Sequence, residues 1–412
     1  MLITSFLTRE HSFLSTLTKD ERYLLAASFF RALAQPFIVT FFALYLWHGA
    51  PNQATLFTYF SSYFLGIMLG FIVNSLAIRS VTPRHMLVFG IFLEGLLPLI
   101  FILCGVDISH LVILVGLSVG LAAGLYWANH GYLTSLIIEH TNRTAYVSLE
   151  TALMAAAGII APIMVGGWLS LAHWLNLFSL TTNYSLVAFI NLFVLLLGVY
   201  YTLKLTPGQT LHKTWRLFVK KPTKTWHIFR AFVIFDGIVS AIDTSIPFLL
   251  ILYFFRGEAT IGSLSTISAI VGTTMIYLIG RRISNHLRVF RVWLIISCLT
   301  ALLVSLFFSP WALLAAIFLR SLIAPFTASS ISYVVMNAIS KQAKNDEQQR
   351  AICFLDREVF LNAGRLIVLV PLIYIGSQLP LVVLRVGFFI FILAILAELL
   401  LLTKINKALT LS

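Results

Sequence analysis

Two aspartates, Asp236 and Asp243, stand seven residues apart in a run that is otherwise apolar from Ile228 to Phe255. Two turns of helix put them on one face. The run is long enough to cross a bilayer, and an ionisable side chain at such depth faces a bundle interior or a wet cavity and marks a pathway. Arg320, in the apolar stretch Trp311 to Ile339, falls near the same mid-membrane level as Asp243. Desolvation opposes a charge on the carboxyl there and a neighbouring cation favours it, and that balance is what a proton-coupling site requires. Asp243 is the first candidate for a coupling acid and Asp236 the second; a purely structural Asp243–Arg320 pair is the alternative.

Other residues carry chemistry at similar depth. Arg31 lies about eight residues inside the first apolar stretch, roughly 12 Å deep at the helical rise, with Gln35 one turn on and Pro36 beside it. Tyr126-Trp127-Ala128-Asn129-His130 is a cluster of aromatic and polar side chains, in which Trp127 and His130 share a helix face. Asn129 and His130 read as a pocket wall, because polar groups facing lipid go unsatisfied. Glu358, Asn362 and Arg365 follow i, i+4, i+7 spacing, which brings Arg365 to mid-depth. Glu94 stands alone in its stretch, and Glu398 is near enough to an end to snorkel. One His without companions is no metal site, Cys104, Cys298 and Cys353 have no metal spacing, and no phosphate-binding glycine loop is present, so neither cofactor nor metal is implied.

The elements that position these residues follow from composition. The chain has 412 residues, 59% hydrophobic and 10% charged, with mean hydropathy +0.96. Soluble domains carry about 25% charged residues. Dense apolar runs of crossing length, without strand alternation, predict an all-α membrane protein and exclude a β-barrel. Twelve stretches can be placed, from Tyr23–Trp47 to Leu381–Leu402, with both termini cytoplasmic because Arg79, Arg84, Arg143, Arg281, Arg282, Arg288, Lys341, Lys344 and Arg350 then fall in inner loops. The net charge of +13 is distributed among these loops, which speaks for membrane orientation and lipid contact and against nucleic acid. Residues 1–22 form a lead-in without a cleavage site. Residues 23–203 and 228–402 form two six-helix halves, 204–227 a basic amphipathic loop held by lipid headgroups, and 403–412 a tail. Leu149-Glu150 with Gly158, and Leu355-Asp356 with Gly364, repeat at one interval, as internal duplication would give. Dispersed acids without a paired loop motif argue against a membrane transferase.

Length, twelve stretches, inner termini, the basic central loop and the loop Asn74 to Arg84 together resemble the major facilitator superfamily. That family's pattern Gly-x-Leu-Ala-Asp-Arg-x-Gly-Arg-Arg is matched at Leu76, Ala77, Arg79 and Arg84. The resemblance implies a cavity lined by the first, fourth, seventh and tenth helices, with Arg31 and Asp236 across it as substrate contact, proton site or static pair. It also implies gate contacts at the inner ends, which would join Asp356 to Arg79 and Glu150 to Arg281 or Arg282, with Glu358 in the same gating layer. The function it implies is secondary active transport of a small solute by alternating access, coupled to protons, and the 34 Phe lean toward an amphiphilic substrate and export. The expected form is a monomer in a bacterial inner membrane. A lipid or amphiphile flippase, or a non-transporting receptor on the same scaffold, is the alternative.

Overall fold

The structure is a computed structural model and describes residues 17–105, 110–138, 143–207, 217–255, 258–279, 286–344 and 346–410. Most of the lead-in, residues 208–216 of the central loop, and Arg281 and Arg282 lie outside the described residues.

The first helix, α1 (Lys19–Gly49), begins with a capping box in which Thr18 Oγ1 accepts from the Glu21 N–H and the Glu21 carboxylate accepts from the Thr18 N–H. Pro36 has no N–H to donate, and the helix widens into a π turn at Phe37–Phe41 before resuming. The helices α2 (Gln53–Ala77), α3 (Pro83–Leu103), α4 (Val112–Ile137), α5 (Arg143–Trp174) and α6 (Leu180–Leu203) follow through short links. After the central segment come α7 (Lys224–Phe255), α8 (Glu258–Ile279) and α9 (His286–Phe307). The tenth stretch is two helices, α10 (Pro310–Ser321) and α11 (Ala324–Ala343), and α12 (Glu347–Gln378) and α13 (Pro380–Thr410) complete the chain.

The tenth stretch, expected as one span from Trp311 to Ile339, is divided in two. Pro325 sits in the first turn of α11, and a residue without an N–H to donate there ends the preceding helix at Leu322–Ile323. Among the described residues, ten helices are long and apolar enough to cross a membrane, with the shorter apolar segments Thr260–Met275 and Pro310–Ser321 beside them. Phe189, Phe193, Leu393 and Leu400 are exposed on the outside of the bundle, as lipid-facing positions are. The short links make successive helices antiparallel, so Lys19, Arg79, Arg84, Lys204, Lys224, Arg288, Lys344 and Arg350 gather at one end, called the basic end below.

Helices α1 to α6 pack mainly on one another, and so do α7 and α9 to α13; the seams α2–α12 and α5–α8 join the two groups. The α2–α4 contact is the tightest. Gly66 and Gly70 face Gly116, Gly120 and Gly124 at four-residue spacing, and a Cβ on Gly120 would collide with the Tyr63 carbonyl oxygen. Gly237 and Gly364 do the same for α7 and α12, where each would meet the partner's backbone. The seams sit at mid-depth or toward the end away from the basic loops and are mostly apolar, with a polar contact from Thr266 Oγ1 to the Ile159 carbonyl at 3.5 Å across α5–α8. Phe60 packs edge-on to Phe248, Gly376 packs on Phe57, and Gly262 packs on Pro162 and Gly166.

Candidate functional site

Arg31 is 3% exposed and Glu94 not at all, and the two form a bidentate pair, Nε to Oε2 at 2.8 Å and Nη2 to Oε1 at 2.8 Å. Gln35 Oε1 lies 3.4 Å from Nη1. The guanidinium stacks 3.9 Å over Tyr126 and 4.7 Å over Trp127. This corrects the expected pairing of Arg31 with Asp236. Charges removed from water need a partner at contact, and Glu94, set aside as isolated, supplies it. The signal was depth: counted from the basic end, Arg31 on α1 and Glu94 on α3 both lie roughly 17 Å in.

The polar residues of α4 are tied to neighbouring helices. The Asn129 amide donates to Asn74 Oδ1 at 2.6 Å and is fully buried. His130 Nε2 lies 2.9 Å from both Ser28 Oγ and Glu150 Oε1, which joins α1, α4 and α5. Asn129 and His130 therefore point into helix contacts rather than forming a pocket wall: the Asn129 Nδ2 and His130 Nε2 atoms are bonded there, while Asn129 Oδ1 is buried without a partner among the described residues. Trp127 alone of the cluster keeps a substantial exposed face, at 38%. Glu150, expected at a gate, is a buried partner of His130.

Arg281 and Arg282, the expected latch partners of Glu150, lie outside the described residues, whereas the expected Asp356–Arg79 latch is corrected. Asp356 is fully buried and accepts from Arg230 Nε at 2.9 Å and from the Val219 N–H at 2.9 Å, while Arg79 is exposed. Arg230 lies on the helix that packs against α12, so the bond stays within one group of helices. Glu358 pairs with its neighbour Arg357. Glu398, expected to snorkel, is 1% exposed. It lies on α13, antiparallel to α7 and in contact with it at Gly387 and Ile246, so eleven residues further on it stands level with Phe235 and Asp236.

Asp236 is buried on α7, and the charges around it are Arg357, Arg365 and Glu358 of α12 together with Glu398. Arg365 donates from Nε to Ser240 Oγ at 3.0 Å and from Nη1 to Asn362 Oδ1 at 2.9 Å. Its guanidinium lies 4.4 Å over the Phe64 ring of α2, so this arginine spans the seam between the two groups of helices. The stack was not legible in the sequence, because nothing in the pattern of α2 marks Phe64 among its other rings.

Asp243 and Arg320 form an ion pair, as their matching depth led us to expect. Arg320 is 16% exposed and lies 5.2 Å over Phe391, whereas Asp243 is 41% exposed. Both line a cavity of about 230 Å³ between α7, α9, α10 and α13, with Trp293, Phe388, Thr300 and Ser321 among its walls. Arg320 stands one residue before the end of α10, beside the break, where helix ends leave backbone groups unpaired. A wider groove of about 760 Å³ at the basic end, bordered by Lys19, Tyr23 and Lys204, holds none of the candidate site residues.

The sequence profile of the Major Facilitator Superfamily matches residues 24–355, and the chain belongs to that family of membrane transport proteins. It is an integral, multi-pass membrane protein. The uncharacterized protein YqgE of Bacillus subtilis (strain 168) is 23% identical over 364 residues, 84% of this chain and 82% of its own. Among solved structures, a POT family transporter in complex with a thioalcohol-conjugated peptide superposes with TM-score 0.69 at 14% identity, covering 94% of this chain and 96% of that one. A bacterial homologue of the iron transporter ferroportin in an outward-facing state gives 0.65 at 16%, covering 95% and 100%. The E. coli fucose:proton symporter gives 0.62 at 15%, covering 93% and 98%. At these identities the likeness is one of fold.

Proposed function

We propose that the chain is a secondary active transporter that moves a small solute by alternating access, with the halves 23–203 and 228–402 rocking about the seams α2–α12 and α5–α8. In this reading the chain makes twelve crossings, with α10 and α11 forming one of them, and the basic end is cytoplasmic, as the positive-inside rule requires. The membrane is a bacterial inner membrane and the protein works as a monomer. The observation that carries the reading is the seam itself. Among the described residues it is made of rings and glycines at mid-depth and at the far end, with Thr266 bonded to the Ile159 carbonyl and Arg365 reaching across to Phe64. A contact closed on one side of a midplane cluster of charges is what one state of an alternating-access cycle looks like.

Proton coupling is assigned to Asp243, with Asp236 as the second carboxyl. Asp243 has a cation beside it and a cavity in front of it, so it can gain or lose a proton or a cationic ligand without dismantling a packed core. Small-molecule cargo in the peptide and fucose transporters of the same fold supports a small solute here. The test is flux of a panel of small solutes into or out of proteoliposomes, with and without an imposed proton gradient. Gradient-driven movement of at least one solute is expected. A reconstituted, folded protein that moves none of them, or moves them equally well without the gradient, contradicts transport or coupling respectively.

A further inference from the structure

We infer that the cavity between α7, α9, α10 and α13 binds a small organic ammonium ion. The inference rests on the transporter reading for its place in a cycle and on the cavity alone for its chemistry. The cavity lies inside one group of helices, away from the seams, and at about 230 Å³ it is smaller than the roughly 300–1,000 Å³ of drug-sized sites. Its occupant is therefore a compact molecule.

The polar groups on the wall select the sign of the charge. Thr300 Oγ1 donates its proton to the Ser297 carbonyl at 2.9 Å and Ser321 Oγ donates to the Ile317 carbonyl at 2.6 Å, so both hydroxyls have only acceptor capacity left. The Asp243 carboxylate is acceptor-only, has about four lone-pair sites and gives some of them to Arg320. Arg320 is held from two sides, by that carboxylate and by the Phe391 ring, and is the less exposed of the pair. A ligand that brings N–H donors and a positive charge completes these acceptors, whereas an anion would have to detach Arg320 from Asp243. Trp293 and Phe388 supply rings for the ligand's apolar part and for attraction to its cation.

The experiment is calorimetric titration of the full-length protein in nanodiscs with three probes of one shape: 2-phenylethylammonium, neutral 2-phenylethanol and anionic 3-phenylpropanoate. The ammonium is expected to bind at least about tenfold more tightly than either, the difference of one charge-assisted hydrogen bond. Thr300→Val keeps the shape, removes an acceptor and weakens the ammonium several-fold, while Ala316→Phe fills the cavity and abolishes binding. Both avoid the charged pair, so neither depends on the fold tolerating a broken ion pair. Equal binding of the three probes, or ammonium binding that survives Ala316→Phe, overturns the inference. Flux of other solutes with no ammonium bound also overturns it and leaves the transport proposal standing. Ammonium binding without any flux supports the site and contradicts the transport proposal.

Discussion

The charged core of α1, α3 and α4 and that of α7, α9 and α10 use the same ingredients, an arginine, a carboxylate and aromatic rings, and differ in what surrounds the carboxylate. In the first, Glu94 is sealed, bound at both oxygens by Arg31, and the guanidinium is covered by Tyr126 and Trp127. In the second, Asp243 keeps part of its surface open to a cavity, and its arginine stands at a broken helix. A buried pair bonded at both carboxylate oxygens is a structural device, because moving either partner leaves an uncompensated charge. A pair with an open carboxylate can exchange partners. In the proposed reading, the first core holds the helices together and the second handles ligand or proton.

The sharpest way to break this comparison is at Glu94. Glu94→Gln leaves the Arg31 charge buried and should cost about 3–5 kcal/mol. Thermal unfolding in nanodiscs would read this as a large drop in midpoint, and the double variant Arg31→Gln with Glu94→Gln should regain much of it. A Glu94→Gln protein as stable as wild type would place that core among the adaptable ones. Next in size is Gly120→Ala. The added methyl has no room against the Tyr63 carbonyl and should cost about 1–3 kcal/mol by overpacking, whereas Gly131→Ala, with open space around its Cα, should gain about 0.5–1 kcal/mol from helix propensity. Equal effects at the two glycines would contradict the close α2–α4 contact.

The smallest effect is expected at the seam. Phe64→Leu removes the ring beneath Arg365, a contact of about 1–2 kcal/mol, and should shift the balance of states several-fold without unfolding. Spin labels at Leu76 and Ser340, near the basic ends of α2 and α11, would report it as a growing population of shorter distances. The reason is that weakening the far seam favours closure at the basic end. An unchanged distance distribution would show that Arg365 is no part of the moving contact.

How far the sequence carried the argument depended on the kind of information each residue gave. The helical membrane fold followed from apolar length, and the family from helix count and basic loops, because both are properties of long segments. Asp243 and Arg320 were legible as a pair because depth along a helix can be counted. Arg31 and Glu94 lie at one depth as well, but depth alone does not separate a partner on α3 from one across the cavity. The latch assigned to Asp356 failed because azimuth around a helix is set by packing: Asp356 turns toward Arg230 on α7. Asn129 and His130 were read as facing a cavity, since a polar side chain announces that it needs a partner and not where the partner is. The break before α11 was visible in Pro325, though a proline inside an apolar run does not say whether the helix kinks or stops, and α7 passes through Pro247 unbroken.

The most direct test of the division of labour sets Asp243→Asn beside Glu94→Gln in one preparation, with thermal midpoint and gradient-driven solute flux measured on both. The account predicts that Asp243→Asn keeps a midpoint near that of wild type, its carboxylate being half-exposed, and loses gradient-driven flux by at least about tenfold, the loss of one charged group from the coupling step. Glu94→Gln should lose its midpoint first. Undiminished gradient-driven flux in Asp243→Asn, or collapse of its fold with Glu94→Gln unaffected, would contradict it.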